Sequence, residues 1–123
     1  MMQPVTLNGI KNCDTMKKAR AWLDAAAIVY RFHDYKALGL ERTRLEGWVR
    51  QIGWDRPLNR AGTTFRKLPE ADRAALDQMK AIALMLQQPS MIKRPVLEAA
   101  GSLIVGFQPD AYRAALNVTV PAQ

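Results

Sequence analysis

Apolar and polar positions along the chain follow two different periods, and the changes between them mark out elements. Val5-Thr6-Leu7 is a short β-prone run that passes into Asn8-Gly9-Ile10-Lys11-Asn12, a stretch of turn formers, so a first strand and a loop are expected. Beyond Cys13, the residues Ala19, Trp22, Leu23 and Ala26 recur at the spacing of one buried helix face. Ile28 to His33 is β-branched and aromatic and reads as a second strand. Strand, helix and strand in about thirty residues make a βαβ unit, whose two strands should run parallel.

The middle reads as helical. Leu45, Trp48, Val49 and Ile52 repeat the helical spacing, and Gly53 is placed to end that helix. Asp55 to Thr64, punctuated by Pro57 and Gly62, reads mainly as loop. A longer amphipathic helix is expected from Glu70 to Gln88, burying Ala75, Met79, Ile82, Ala83 and Leu86 before Pro89 stops it. In the last third, Val96 to Glu98 and Ser102 to Val105 read as two strands joined at Gly101. This hairpin carries almost no charge, which suits the inner part of a sheet. Pro109-Asp110 then starts a final helix bearing Tyr112, Ala115 and Leu116. The expected class is α/β: a mixed four-stranded sheet flanked by helices, in a single domain over 1–123.

Composition narrows the function. At 123 residues with 49% apolar and 24% charged side chains, the chain can bury a core without staples. One Cys and one His leave neither an internal disulfide nor a protein-only zinc cage, so no metal site is expected. Met1-Met2-Gln3-Pro4 leads straight into the first strand without a basic leader, and the longest strongly apolar stretch, Ala81 to Leu86, is far short of a membrane span. A cytoplasmic protein without a membrane partner is expected.

The net charge of +7 invites a nucleic-acid reading, but its distribution argues otherwise. Residues 1–57 hold 10 basic and 6 acidic side chains, residues 58–94 hold 7 and 3, and residues 95–123 hold 1 and 2. The surplus is spread over several helices, with no basic tail and no aromatic-studded strand on which bases would stack. A diffuse field that attracts small anions follows, with no nucleic-acid partner. His33 reads as a structural or surface histidine, Trp22, Trp48 and Trp54 as helix packing, and Met79 and Met85 as core filler.

Cys13 is the residue with chemistry. It stands where the first strand hands over to the first helix, and the first N–H groups of a helix carry partial positive charge with no internal partner. A thiolate there is stabilised, so its pKa should lie below the ordinary thiol value of about 8.5. Lys11 and Lys17 add positive potential, and Thr15 can offer a hydroxyl. Asn12 forms the turn before it. A redox pair would want a second Cys three residues on, where this chain has Met16. The thiol can form a mixed disulfide but needs an external thiol to resolve it.

Three blocks carry a resemblance: Gly-Ile-Lys-Asn-Cys-Asp-Thr-Met-Lys-Lys-Ala (9–19), Asn-Arg-Ala-Gly-Thr-Thr-Phe-Arg-Lys-Leu (59–68) and Ile-Lys-Arg-Pro-Val-Leu (92–97). In this order and spacing they resemble the arsenate reductase (ArsC) family, most closely its YffB-like members, which are described as glutathione-dependent thiol reductases. The resemblance implies a thioredoxin-like fold with a helical insertion at about 40–88. It implies Cys13 as nucleophile, Arg60 and Arg94 as oxyanion-holding arginines, and Pro95 as a cis proline against the thiol. Arg94 also stands out on its own, because the following proline restricts its backbone. The arsenate reductases carry a third arginine after the last strand, where this chain has Val105-Gly106-Phe107-Gln108.

The expected function is therefore a glutathione-dependent thiol reductase, a monomer with no tightly bound cofactor. Glutathione is its co-substrate, with glutaredoxin as a further partner, and its substrate is a small anion or disulfide. An arsenate reductase is the alternative, weakened by the missing arginine. A regulator of the related Spx type, which binds RNA polymerase, ranks last because Met16 removes the Cys-x-x-Cys switch of many such proteins.

Overall fold

The structure, a computed structural model, describes residues 4–118. Met1 to Gln3, on which the expectation about a leader partly rests, and residues 119–123, the far end of the expected domain, lie outside the described residues. Strand β1 is Val5–Gly9, helix α1 Asp14–Ala25 and strand β2 Arg31–Asp34. Five short to medium helices follow: α2 Tyr35–Leu38, α3 Arg42–Ile52, α4 Thr63–Arg66, α5 Glu70–Arg73 and α6 Gln78–Gln87. A 3-10 turn at Pro89–Met91 precedes β3 Val96–Ala99, β4 Ser102–Val105 and α7 Pro109–Leu116. The chain divides into two compact units: residues up to Asp34 together with those from Arg94 onward, and Tyr35–Lys93.

The first unit is built on one sheet in the order β2-β1-β3-β4. β1 runs parallel to β2 and antiparallel to β3, and β3 runs antiparallel to β4. One register row joins Phe32, Leu7, Leu97 and Ile104 across all four strands. Because strand side chains alternate between faces, this row and its neighbours Val5 and Ala99 form one apolar face. Met16, Ala19 and Leu23 of α1 and Tyr112 of α7 close over it. Trp22 and Phe107 meet the Tyr112 ring edge-on at 5.7 and 5.4 Å. The Tyr112 hydroxyl is buried without a hydrogen-bond partner, and burial pushes its pKa far up. The hairpin turns through Ala100 and Gly101, both at positive φ, as a two-residue turn matched to strand twist requires. This is the thioredoxin-like arrangement that the resemblance implied.

The second unit, Tyr35–Lys93, stands in the chain between β2 and β3 and is wider than the expected insertion at 40–88. Its buried side chains include Leu45, Trp48 and Val49 of α3 and Ala81, Ile82, Leu84 and Met85 of α6. The segment read as loop holds more structure than expected. Leu58 makes an antiparallel bridge to Ile92, and α4 starts at Thr63. The Tyr35 hydroxyl donates to the Ile92 carbonyl at 3.0 Å.

Three expectations need correcting. The helix read over 70–88 is two helices, because Asp77 starts α6 anew by accepting a hydrogen bond from the Lys80 N–H at 2.8 Å. The new start sets a different phase. Ala81, Ile82, Leu84 and Met85 face inward, whereas Met79 is 76% exposed and Ala75 and Ala83 are also exposed. Strand β2 begins at Arg31 rather than Ile28, leaving Val29 exposed. Of the uncharged hairpin, only β3 is an inner strand; β4 is an edge.

Candidate active site

The half-buried Cys13 occupies the N-cap of α1, with extended backbone at φ −104° and ψ 134°. Its carbonyl accepts the first helical bond, from the Lys17 N–H, at 3.0 Å. The strand-to-helix passage is sharp because Asn12 sits in the left-handed region at φ 67°, which Asn tolerates better than most residues. The sulfur closes no capping bond of ordinary geometry to α1, yet the N–H groups at the helix start still favour its ionised form.

Two opposing influences set the thiol's pKa. Partial burial raises it; the nearby Met16 N–H, Arg94 side chain and Thr15 N–H, as donors facing the sulfur, together with the Arg94 charge, lower it. The lowering contributions prevail, so the thiol ionises more readily than an ordinary one. The lowered pKa expected from the sequence holds, and the structure adds Thr15 and Met16 N–H groups to its causes. Thr15 acts on the thiol through its backbone N–H. Lys11 and Lys17 are both exposed.

Arg94 reaches the thiol from the start of β3. The Arg94–Pro95 peptide bond is cis, as the resemblance implied, and Pro95 is buried. The Pro95 carbonyl accepts from the Gly106 N–H at 2.8 Å, which ties it to the exit of β4. Asn8, fully buried, donates from Nδ2 to the Val96 carbonyl at 3.0 Å and to the Glu98 carboxylate at 2.9 Å. This links the end of β1 that leads to Cys13 with the start of β3 that follows Pro95. A buried amide so satisfied fixes the register of both strands.

Met16 has two roles that sequence reading missed. Its N–H acts on the sulfur of Cys13, and its thioether is buried against Gly9. A Cβ on Gly9 would run into the end of the Met16 thioether, which would have to shift, so the glycine leaves room for this close approach. Gly9, four residues before the thiol at a strand end, was the signal in the sequence.

Arg60 belongs to the second unit. Its guanidinium carbon lies 5.3 Å from the Trp54 ring centroid, and Nη2 donates to the Asp55 carboxylate. Its side chain remains 48% exposed. Trp54 and Asp55 were not read as partners of Arg60, since nothing in local spacing announces a turn that folds residue 55 back onto residue 60. Among the described residues, no three His, Cys, Asp or Glu side chains converge as metal ligands, and no helix is long and apolar enough to cross a membrane.

Comparison with known proteins adds to this geometry. Residues 8–115 match the profile of the ArsC family. A solved structure of a YffB protein is 64% identical with a TM-score of 0.88, covering 91% of this chain and 98% of that one. The solution structure of an arsenate reductase (ArsC) related protein from Brucella melitensis is 55% identical with a TM-score of 0.73, covering 94% and 97%. An uncharacterised protein of Haemophilus influenzae is 40% identical over 111 residues, 90% of this chain and 97% of that one. The global transcriptional regulator Spx of Streptococcus mutans is 29% identical over 114 residues, 91% and 82%.

Proposed function

The chain belongs to the ArsC family, and from that premise we propose that it is a glutathione-dependent thiol reductase acting through Cys13. The observation that carries this reading is a thiol whose ionised form is favoured by Met16, Arg94 and Thr15, in a chain with no second Cys. The thiolate attacks the glutathione sulfur of a mixed disulfide, and the substrate leaves as a thiolate that takes a proton. The Cys13–glutathione disulfide is then attacked by the thiolate of a second glutathione. Oxidised glutathione leaves and Cys13 returns to its reduced form, the two electrons having come from glutathione.

Arg94 holds the negative co-substrate against the thiolate, and the family resemblance supports Arg60, in the second unit, as an anion ligand. A planar guanidinium serves here because it binds carboxylates and oxyanions through two donors at once. Asn12 and Pro95 shape the loop, while Lys11 adds positive potential. No tightly bound cofactor is required. The reading assigns a cytoplasmic monomer, with 1–123 acting as one functional domain, which the match over 8–115 supports.

Mass measurement after incubation with oxidised glutathione tests the proposal: one glutathione should add to the protein and none to Cys13→Ser. Turnover of a glutathionylated substrate should vanish in the same variant. A second reading, arsenate reduction, is favoured by the 55% identity to the arsenate reductase related protein of Brucella melitensis. Here Cys13 would form an arsenic adduct that glutathione or a glutaredoxin attacks. Without an arginine in Val105 to Gln108, this activity should be poor. Efficient arsenate reduction by a protein inert to glutathionylated substrates would reverse the order of the two readings. The Spx resemblance supports a third, polymerase binding, which a pull-down with RNA polymerase separates from both enzymes.

A further inference from the structure

We propose that Asp55 is a built-in competitor for the anion that Arg60 binds, and so sets how tightly Arg60 holds that anion. This rests on the reading of Arg60 as an anion ligand. The segment carrying both residues is anchored on its inner side. Leu58 bridges to Ile92, the Asn59 N–H donates to the Met91 carbonyl at 2.7 Å, and the Lys93 N–H donates to the Pro57 carbonyl at 2.7 Å. The turn between Trp54 and Leu58 then brings Asp55 back to Arg60, where the two form an ion pair.

The three side chains divide the guanidinium between them. The guanidinium carbon lies over the Trp54 ring, 5.3 Å from its centroid, a cation–π contact that supports the charge without a hydrogen-bond acceptor. Asp55 takes one of the in-plane donors, Nη2. An incoming carboxylate or oxyanion needs the same in-plane donors. It must therefore displace Asp55 or bind beside a negative charge, and either route weakens it. Both partners stay open to solvent, Arg60 at 48% and Asp55 at 67%, so an anion can approach and the carboxylate can swing away. Trp54 continues to support the guanidinium when Asp55 leaves, so Asp55 is a competitor rather than the group that positions Arg60.

Exposed ion pairs are weak, which bounds the effect at about two- to five-fold. The test uses the full chain carrying Cys13→Ser, which blocks disulfide exchange, with oxidised glutathione as the anionic probe. Calorimetry would give its dissociation constant with Asp55→Asn, with Arg60→Ala and with both. Asp55→Asn should tighten binding about two- to five-fold and Arg60→Ala should weaken it. In the double variant the gain from Asp55→Asn should be lost. If Arg60→Ala weakens binding but Asp55→Asn does not tighten it, the competitor role is wrong while the Arg60 reading stands. Equal tightening with and without Arg60 would also overturn it, as a general charge effect. If Arg60→Ala leaves binding unchanged, or no variant binds the probe, the anion-ligand reading fails and this inference fails with it.

Discussion

At the scale of single residues, the thiol of Cys13 is a contest between burial and donors, and the donors win. Arg94 contributes both a donor facing the sulfur and a charge, so Arg94→Ala should move the midpoint of alkylation rate against pH upward. Arg94→Lys, which keeps the charge without the fork, should fall between that variant and the wild type. The same shift has a consequence for stability. An acid whose folded pKa is depressed adds stability above its unfolded pKa and loses it as pH falls through the folded value. The stability advantage of the wild type over Cys13→Ser should therefore grow as pH rises towards about 8.5, the unfolded thiol value, and level off beyond it. Urea denaturation across that range would check it, and a gap independent of pH would contradict the depressed pKa. Cys13 was legible in the sequence because a strand–helix junction is a pattern. The donors at Thr15 and Met16 were less so, since every residue but proline has an N–H and side-chain identity does not say where it points.

At the scale of elements, α1 and β1 meet where Met16 packs on Gly9, and this contact connects the core to the thiol. Met16 is 2% exposed, so its side chain has little room to yield to a methyl group on Gly9. Gly9→Ala should cost about 1–3 kcal/mol by overpacking, and it should also raise the alkylation midpoint of Cys13, because displacing Met16 displaces its N–H. A loss of stability with an unchanged midpoint would separate the two. The helix α6 illustrates why phase is harder to read than type. Its apolar residues are dense enough that several faces look plausible, and the choice is made by the Asp77 cap. Replacing the exposed Met79 with Lys should change stability by no more than about 0.5 kcal/mol. Met85→Ala, at a fully buried site, should cost about 2–5 kcal/mol. Thermal or urea unfolding of the pair would show which face is inside. Strand β4 gives the same lesson for sheets: an uncharged sequence records how dry a strand is, not whether it has one neighbour or two.

At the scale of the whole molecule, the charge is divided unevenly between the units. Tyr35–Lys93 holds 11 basic and 6 acidic side chains, and the rest of the chain holds 7 and 5. The sequence could report this surplus, but not that it would be split by a unit inserted between β2 and β3; only the resemblance suggested that. The smaller surplus around the sheet matters most for chemistry, because Arg94 acts directly on the thiol there. A positive field at a thiolate should favour anionic reagents over neutral ones of the same shape. Iodoacetate and iodoacetamide make that comparison at Cys13, the one thiol in the chain. A free thiolate repels the anionic reagent, so the ratio of the two rates should be higher for the protein than for free cysteine at low salt. Screening shortens from about 10 Å at 0.1 M to about 3 Å at 1 M salt. The ratio should fall towards the free-cysteine value over that range, and Arg94→Ala should lower it at low salt. A protein ratio no higher than that of free cysteine at low salt would mean that the thiol reacts by its own ionisation alone, without an anion-attracting field around it.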